Sequence, residues 1–173
     1  MTVIVGITDG NKVYIGGDRG ASDDSSIVSI SQPKVKVKGS WIYGYSGSLG
    51  NGQLFDLIDL PPVGEDEDPF KILRLDIVEE LKSIMESHGS DKEDYATDFL
   101  IGCKGRLFEL SSMDWGVLEV SEVAVGSGGN FAMGSLYTTY SMNIPITERI
   151  GYALGAAITY SPTCQGPIDI LSI

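Results

Sequence analysis

Apolar side chains recur along this chain with two different periods, and each change of period marks an element boundary. Residues 2–7 and 12–16 are β-rich runs joined at Asp9-Gly10-Asn11, a turn signal that closes a hairpin. Alternation and aromatic content predict a second antiparallel pair at 35–37 and 41–45, around Gly39-Ser40. After a glycine-rich stretch at 44–52, Leu54, Phe55, Leu57, Ile58 and Leu60 predict a short buried helix stopped by Pro61-Pro62. Ile72, Leu73, Ile77, Val78, Leu81, Ile84 and Met85 fall at helical spacing and predict a long amphipathic helix. Strand character returns at 98–102, 106–110 and 117–125. Two helices are predicted at 130–140 and 147–160, and a strand at 168–173 follows.

Strands and helices in separate blocks, with hairpin-length connections, favour antiparallel sheets covered by helices over a doubly wound parallel sheet. The first strand is apolar on alternate and intervening positions alike, so both of its faces must be covered. Two stacked sheets between two helical layers satisfy this. The expected fold class is α+β, a four-layer αββα sandwich of two antiparallel sheets, built by residues 1–173 as a single domain.

Charge removes several functions from consideration. With 12 basic and 24 acidic residues the formal net charge is −12, which leaves no basic surface to displace counterions from a nucleic acid. Part of the acidic excess, Glu65 to Asp68, lacks the D-x-D-x-D-G calcium pattern and reads as a solvated loop. No apolar run is long enough to span a membrane. Two cysteines, Cys103 and Cys164, and no leader-like segment point to a reducing cytoplasm. One histidine and two distant cysteines match no zinc spacing, so no metal or other cofactor is expected. That histidine, His88, ends the helical stretch before Gly89 and reads as a last-turn residue rather than a catalytic base. Gly126-Ser127-Gly128-Gly129 opens a helix after a strand, but Phe131 occupies the third glycine position of a dinucleotide fingerprint. It reads either as a plain strand-to-helix turn or as a tight turn delivering Ser127 toward a site.

The candidate chemistry lies at Thr2. If Met1 is removed, Thr2 carries a hydroxyl and a free α-amino group on one Cα, a nucleophile and a base together. An α-amine with a pKa of roughly 7.7–8.0 can take the hydroxyl proton near neutral pH without a histidine. Asp18 and Lys34 follow downstream. In isolation Asp18-Arg19 reads equally well as a turn pair, Lys34 as an edge charge and Gly44 as a strand irregularity.

Several fragments change that balance together. Gly17-Asp18-Arg19-Gly20-Ala21-Ser22 resembles a G-D-x-x-A-[ST] motif, Lys34-Val35 a Lys-Val pair and Ile42-Tyr43-Gly44 an I-A-G motif. The run from Gly126 to Ala132 resembles G-S-G-x-x-[FY]-A. Their order and separations, with the ending from Ser161 to Ile170, resemble the proteasome β-subunit family and its HslV-type relatives over nearly the whole chain. The resemblance implies the N-terminal-nucleophile (Ntn) hydrolase fold and threonine-type endopeptidase activity on proteins and peptides. It also implies homo-oligomeric rings of six or seven copies, stacked in pairs, that dock an ATP-driven AAA+ unfoldase. By the same resemblance Thr2 is the nucleophile, Lys34 depresses the pKa of the hydroxyl–amine unit, and Asp18 keeps Lys34 charged. Gly44 offers its N–H to the oxyanion and Ser127 bonds the terminal amine. Ala21, Tyr45 and Leu49 line a pocket for apolar side chains. Ser161 and Cys164 stand where many β-subunits carry Asp and Ser, and support the terminus by hydroxyl, thiol or main chain. A chain that keeps Met1 has an amide in place of the base and is expected to be a silent ring or assembly subunit. A small-molecule Ntn amidohydrolase is the third reading.

Overall fold

The hairpin at the start of the chain forms as its turn chemistry predicts. In the computed structural model, which describes residues 2–22, 25–88 and 96–173, β1 (Ile4–Thr8) pairs antiparallel with β2 (Val13–Asp18). Gly10 takes a φ of +86° at the turn, and the Asp9 carboxylate accepts the N–H groups of Asn11 and Lys12. A two-stranded ribbon, β3 (Gly20–Ser22) and β4 (Ile27–Ser29), follows. Next come β5 (Val35–Lys38) and β6 (Trp41–Gly47), joined at Gly39 with φ +59°.

Helices α1 (Leu49–Phe55), α2 (Pro69–Ile72) and α3 (Val78–Ser87) come next, with a π-helical turn, Leu73–Ile77, joining the last two. Then follow β7 (Thr97–Cys103), β8 (Arg106–Ser111), β9 (Val117–Val120) and β10 (Glu122–Val125). The chain closes with α4 (Gly129–Thr139), α5 (Ile146–Tyr160) and β11 (Ile168–Ser172).

Two antiparallel sheets result, ordered β10-β1-β2-β11 and β5-β6-β7-β8-β9. Alternation along each strand sends its side chains into different cores. Ile4, Val13 and Ile15 meet Val35, Ile42, Leu100 and Leu107 between the sheets. Val3, Val5 and Ile7 face Leu136, Ile150 and Leu154 of α4 and α5. Trp41, Tyr43, Phe99 and Phe108 face Phe55, Ile77 and Leu81 of the other helical layer. Each fully buried side chain of this size contributes about 1.5–3 kcal/mol by leaving water. The four layers are therefore αββα, as the two-faced apolar strands predict. No helix among the described residues is long and apolar enough to cross a membrane.

Three local expectations change. The helix predicted at 54–60 lies earlier, at Leu49–Phe55, because Ser48 caps it by accepting the Asn51 N–H at 3.3 Å. The strand predicted at 117–125 is two strands in different sheets: β9 pairs with β8, β10 pairs with β1, and the chain crosses over at Ser121. The long helix is interrupted by its π turn, although Leu73, Ile77, Val78, Leu81 and Met85 are buried as the spacing predicts. His88 ends α3, with Nδ1 2.9 Å from the Ile84 carbonyl oxygen, while Gly89 lies outside the described residues. The acidic loop is exposed at Glu65, Asp66 and Glu67, and its carbonyl groups are tied to the Lys104 ammonium.

Candidate active site

The start of the chain is locked to the end of β2 by its own backbone. Val3 donates its N–H to Asp18 Oδ1 at 3.1 Å, and Asp18 donates its N–H to the Val3 carbonyl at 3.2 Å. Thr2 is thereby held beside Asp18, both of them buried. Asp18 Oδ2 also accepts the N–H groups of Gly20 and Gln165, each at 3.0 Å. With Lys34 Nζ at 3.1 Å from Oδ1, the carboxylate accepts four hydrogen bonds, which fills its capacity.

Lys34 enters from the side of the other sheet, as the residue just before β5. Its side chain is 2 % exposed, and Nζ donates to Thr2 Oγ1 at 2.5 Å, to Asp18 Oδ1 and to the Gly20 carbonyl. Three acceptors around one nitrogen match the three protons of an ammonium, so the geometry is that of charged lysine. Burial pulls the Lys34 pKa below its ordinary value, and the Asp18 carboxylate acts in the opposite direction. An ammonium held against a hydroxyl favours the alkoxide form of that hydroxyl.

The glycine-rich turn before α4 closes over Thr2. Gly128 donates its N–H to the Thr2 carbonyl at 3.3 Å, and Thr2 N donates to Ser127 Oγ at 3.3 Å. Gly126 has φ +92°, and a Cβ there would lie 2.2 Å from the Thr2 carbonyl oxygen, so no larger residue fits. The turn therefore clamps main chain. Ser127 Oγ lies 2.7 Å from Thr163 Oγ1, which lies 2.9 Å from Ser161 Oγ. Cys164 is buried among these three hydroxyls, and burial pushes its thiol pKa up, so it stands there as a neutral thiol.

Beside Thr2 and Lys34 opens a cavity of about 250 Å³, and Ala21, Tyr45 and Leu49 all line it, together with Gly47 and Ser48. The Tyr45 phenol is pushed up to about 12, chiefly by burial, and is neutral at physiological pH. Gly44 is elsewhere. It sits in the middle strand run of β6, with Val35 and Leu100 as ladder partners on either side. The space above its Cα is filled by Ile4, Ile15 and Val35. The expectation that Gly44 faces the reacting centre is corrected on this ground: the glycines that line the cavity are Gly20 and Gly47, the latter at φ +101° where β6 gives way to α1.

Several site residues escaped the sequence. Gly20 and Gln165 act through backbone atoms, which leave no residue-type signal, and Thr163 was passed over between Ser161 and Cys164. Among the described residues no group of His, Cys, Asp and Glu is arranged to hold a metal ion.

No protein-family model matches the chain, and no curated protein matches it. Solved structures do resemble it. BPH from Thiobacillus denitrificans, in complex with epoxomicin, superposes with a TM-score of 0.80 at 17% identity, covering 99% of this chain and 98% of that one. Eukaryotic HslV from Trypanosoma brucei gives 0.72 at 15% identity, over 99% and 98%. Anbu, described as an ancestral beta-subunit, from Yersinia bercovieri, gives 0.74 at 10% identity, over 100% of this chain and 81% of that one. The four layers, the sheet orders and these superpositions together give this chain the fold of BPH, HslV and Anbu, an αββα sandwich of two antiparallel sheets.

Proposed function

We propose that this chain is a threonine-type endopeptidase subunit of a proteasome-like assembly, with Thr2 as nucleophile once Met1 has been removed. The observation that carries the reading is the buried Lys34 ammonium shared between Thr2 Oγ1, Asp18 and the Gly20 carbonyl. The free α-amine of Thr2 takes the proton from Oγ1, and the oxygen attacks the carbonyl carbon of the scissile peptide. Lys34 stabilises the developing alkoxide. Gly47 and Ser48 line the cavity beside Thr2, and in this reading a main-chain N–H of that wall receives the carbonyl oxygen as it becomes an oxyanion; one such donor typically supplies about 2.7–4 kcal/mol. The ammonium of Thr2 then protonates the leaving amine, which leaves an ester on Thr2. Water, deprotonated by the same amine, releases the acid product. The pocket walls Ala21, Tyr45 and Leu49 receive an apolar side chain of the substrate.

By the same reading the subunits form closed rings of six or seven, possess no cofactor, and take unfolded protein from an AAA+ ATPase in the cytoplasm. The free state of Cys103 and Cys164 supports that compartment. Support for the ring comes from the near-complete superposition on BPH and HslV. Intact mass should show loss of Met1, and a fluorogenic apolar peptide should be cleaved, with epoxomicin blocking the turnover. Thr2→Ala should lower kcat by about 10⁴-fold, while Thr2→Ser retains activity. Equal turnover by wild type and Thr2→Ala sinks the assignment. Protein that keeps Met1 and cleaves nothing is the silent subunit. Sedimentation of a species at the 18.5 kDa of one chain would remove the ring.

A further inference from the structure

Ser127 carries one hydroxyl proton and stands beside the Cys164 thiol and near three further polar atoms: Thr2 N at 3.3 Å, a peptide nitrogen that donates to it while Met1 is in place, the Thr2 carbonyl oxygen at 3.4 Å and Thr163 Oγ1 at 2.7 Å. Where that proton points decides what the nitrogen of Thr2 meets. A Ser127 that donates to the nitrogen occupies the lone pair a base needs. A Ser127 that accepts from the nitrogen leaves the lone pair for Thr2 Oγ1. Thr163 is the nearest of the three, and its own oxygen lies 2.9 Å from Ser161 Oγ. Arranged head to tail from Thr2 N–H through Ser127 and Thr163 to Ser161, each of the first two hydroxyls accepts one bond and donates one.

We propose that Thr163 is a positioning residue: by accepting the Ser127 proton it holds Ser127 as an acceptor from the Thr2 nitrogen and keeps the amine's lone pair available to the Thr2 hydroxyl. This rests on the peptidase reading, in which that nitrogen is the base. The charged and titratable groups around the nitrogen do not supply this orientation. Lys34, just before β5, is engaged on the Oγ1 side, Asp18, at the end of β2, accepts four other donors, and the Cys164 thiol, after α5, is neutral.

Thr163→Val keeps the branched shape and removes the acceptor, whereas Thr163→Ser keeps it. The first measurement is the titration midpoint of the Thr2 α-amine, read from the pH dependence of its acetylation, and it requires no peptidase activity. In Thr163→Val the midpoint should fall, because Ser127 now donates to the nitrogen and favours the neutral amine; Thr163→Ser should restore it. The second is peptide hydrolysis, where Thr163→Val should lose about tenfold in kcat at unchanged KM, a fraction of what a positioned base supplies. If the valine variant does not fold, Thr163→Ala carries the same expectation. An unmoved midpoint, or a serine variant as impaired as the valine one, overturns the proposal. Failure of the peptidase reading looks different: wild type with a free Thr2 would cleave nothing, yet the midpoint would still fall in Thr163→Val.

Discussion

Lys34 is held charged where burial opposes charge, and that conflict makes its protonation visible in two measurements. Its folded pKa lies below the ordinary lysine value of 10.5, so between those two values the unfolded chain binds more protons and stability rises with pH. The same deprotonation removes the cation from Thr2 Oγ1. Peptidase rate should therefore fall on the alkaline side at a pH below 10.5, while the denaturation midpoint gains a rise that Lys34→Met lacks. An alkaline limb at or above 10.5 would show that Lys34 is not the group being lost. Asp18 gives the complementary test. Asp18→Ala strands a buried ammonium and should cost about 3–5 kcal/mol in urea unfolding, and adding Lys34→Met should recover part of the loss. If the double variant is as unstable as the sum of the two single ones, the pair is not coupled. Thr2, Asp18, Lys34 and Ser127 were legible in the sequence because their side chains carry the chemistry and their spacing matches a known pattern. Gly44 was misplaced because a backbone N–H has no residue type to read.

At the scale of elements, the helix expected after the glycine-rich stretch begins inside it, at Leu49. Its second glycine explains why. A Cβ on Gly52 would lie 2.0 Å from the Tyr45 ring, so α1 can pack against that ring only without a side chain there. Helix propensity argued against glycine, and close packing overrode it. Gly52→Ala should cost about 1–3 kcal/mol by overpacking and should move the Tyr45 ring, changing KM across a series of substrates with different apolar side chains. Unchanged stability together with unchanged substrate ranking would mean that Tyr45 does not shape the pocket. The split of 117–125 was hidden for a related reason. Both halves have strand character, and nothing local to Ser121 states that one half belongs with β8 and the other with β1.

At the scale of the whole molecule, the candidate site straddles the sandwich. Asp18 ends β2 and Thr2 lies just before β1, both of the four-stranded sheet, Lys34 lies just before β5 of the five-stranded one, and Ser127 comes from the turn leading into α4. The spacing between sheets therefore sets the distance from Nζ to Oγ1. Gly102 tests this from outside the pocket lining, because a Cβ there would lie 2.5 Å from Val13 Cγ1 across the inter-sheet core. Gly102→Ala should destabilise by about 1–3 kcal/mol and also lower kcat, with no site residue altered. A loss of stability with full kcat would uncouple the catalytic geometry from the packing of the sheets. The sequence by itself determined the kinds of element, the burial of both strand faces and the pairing of amine and hydroxyl on Thr2, because periodicity and side-chain chemistry act within a few residues. Only the tertiary structure decided which glycines line the pocket, where the chain changes sheets and how Lys34 meets Thr2. Those depend on the burial of one sheet against another, which no local stretch of sequence specifies.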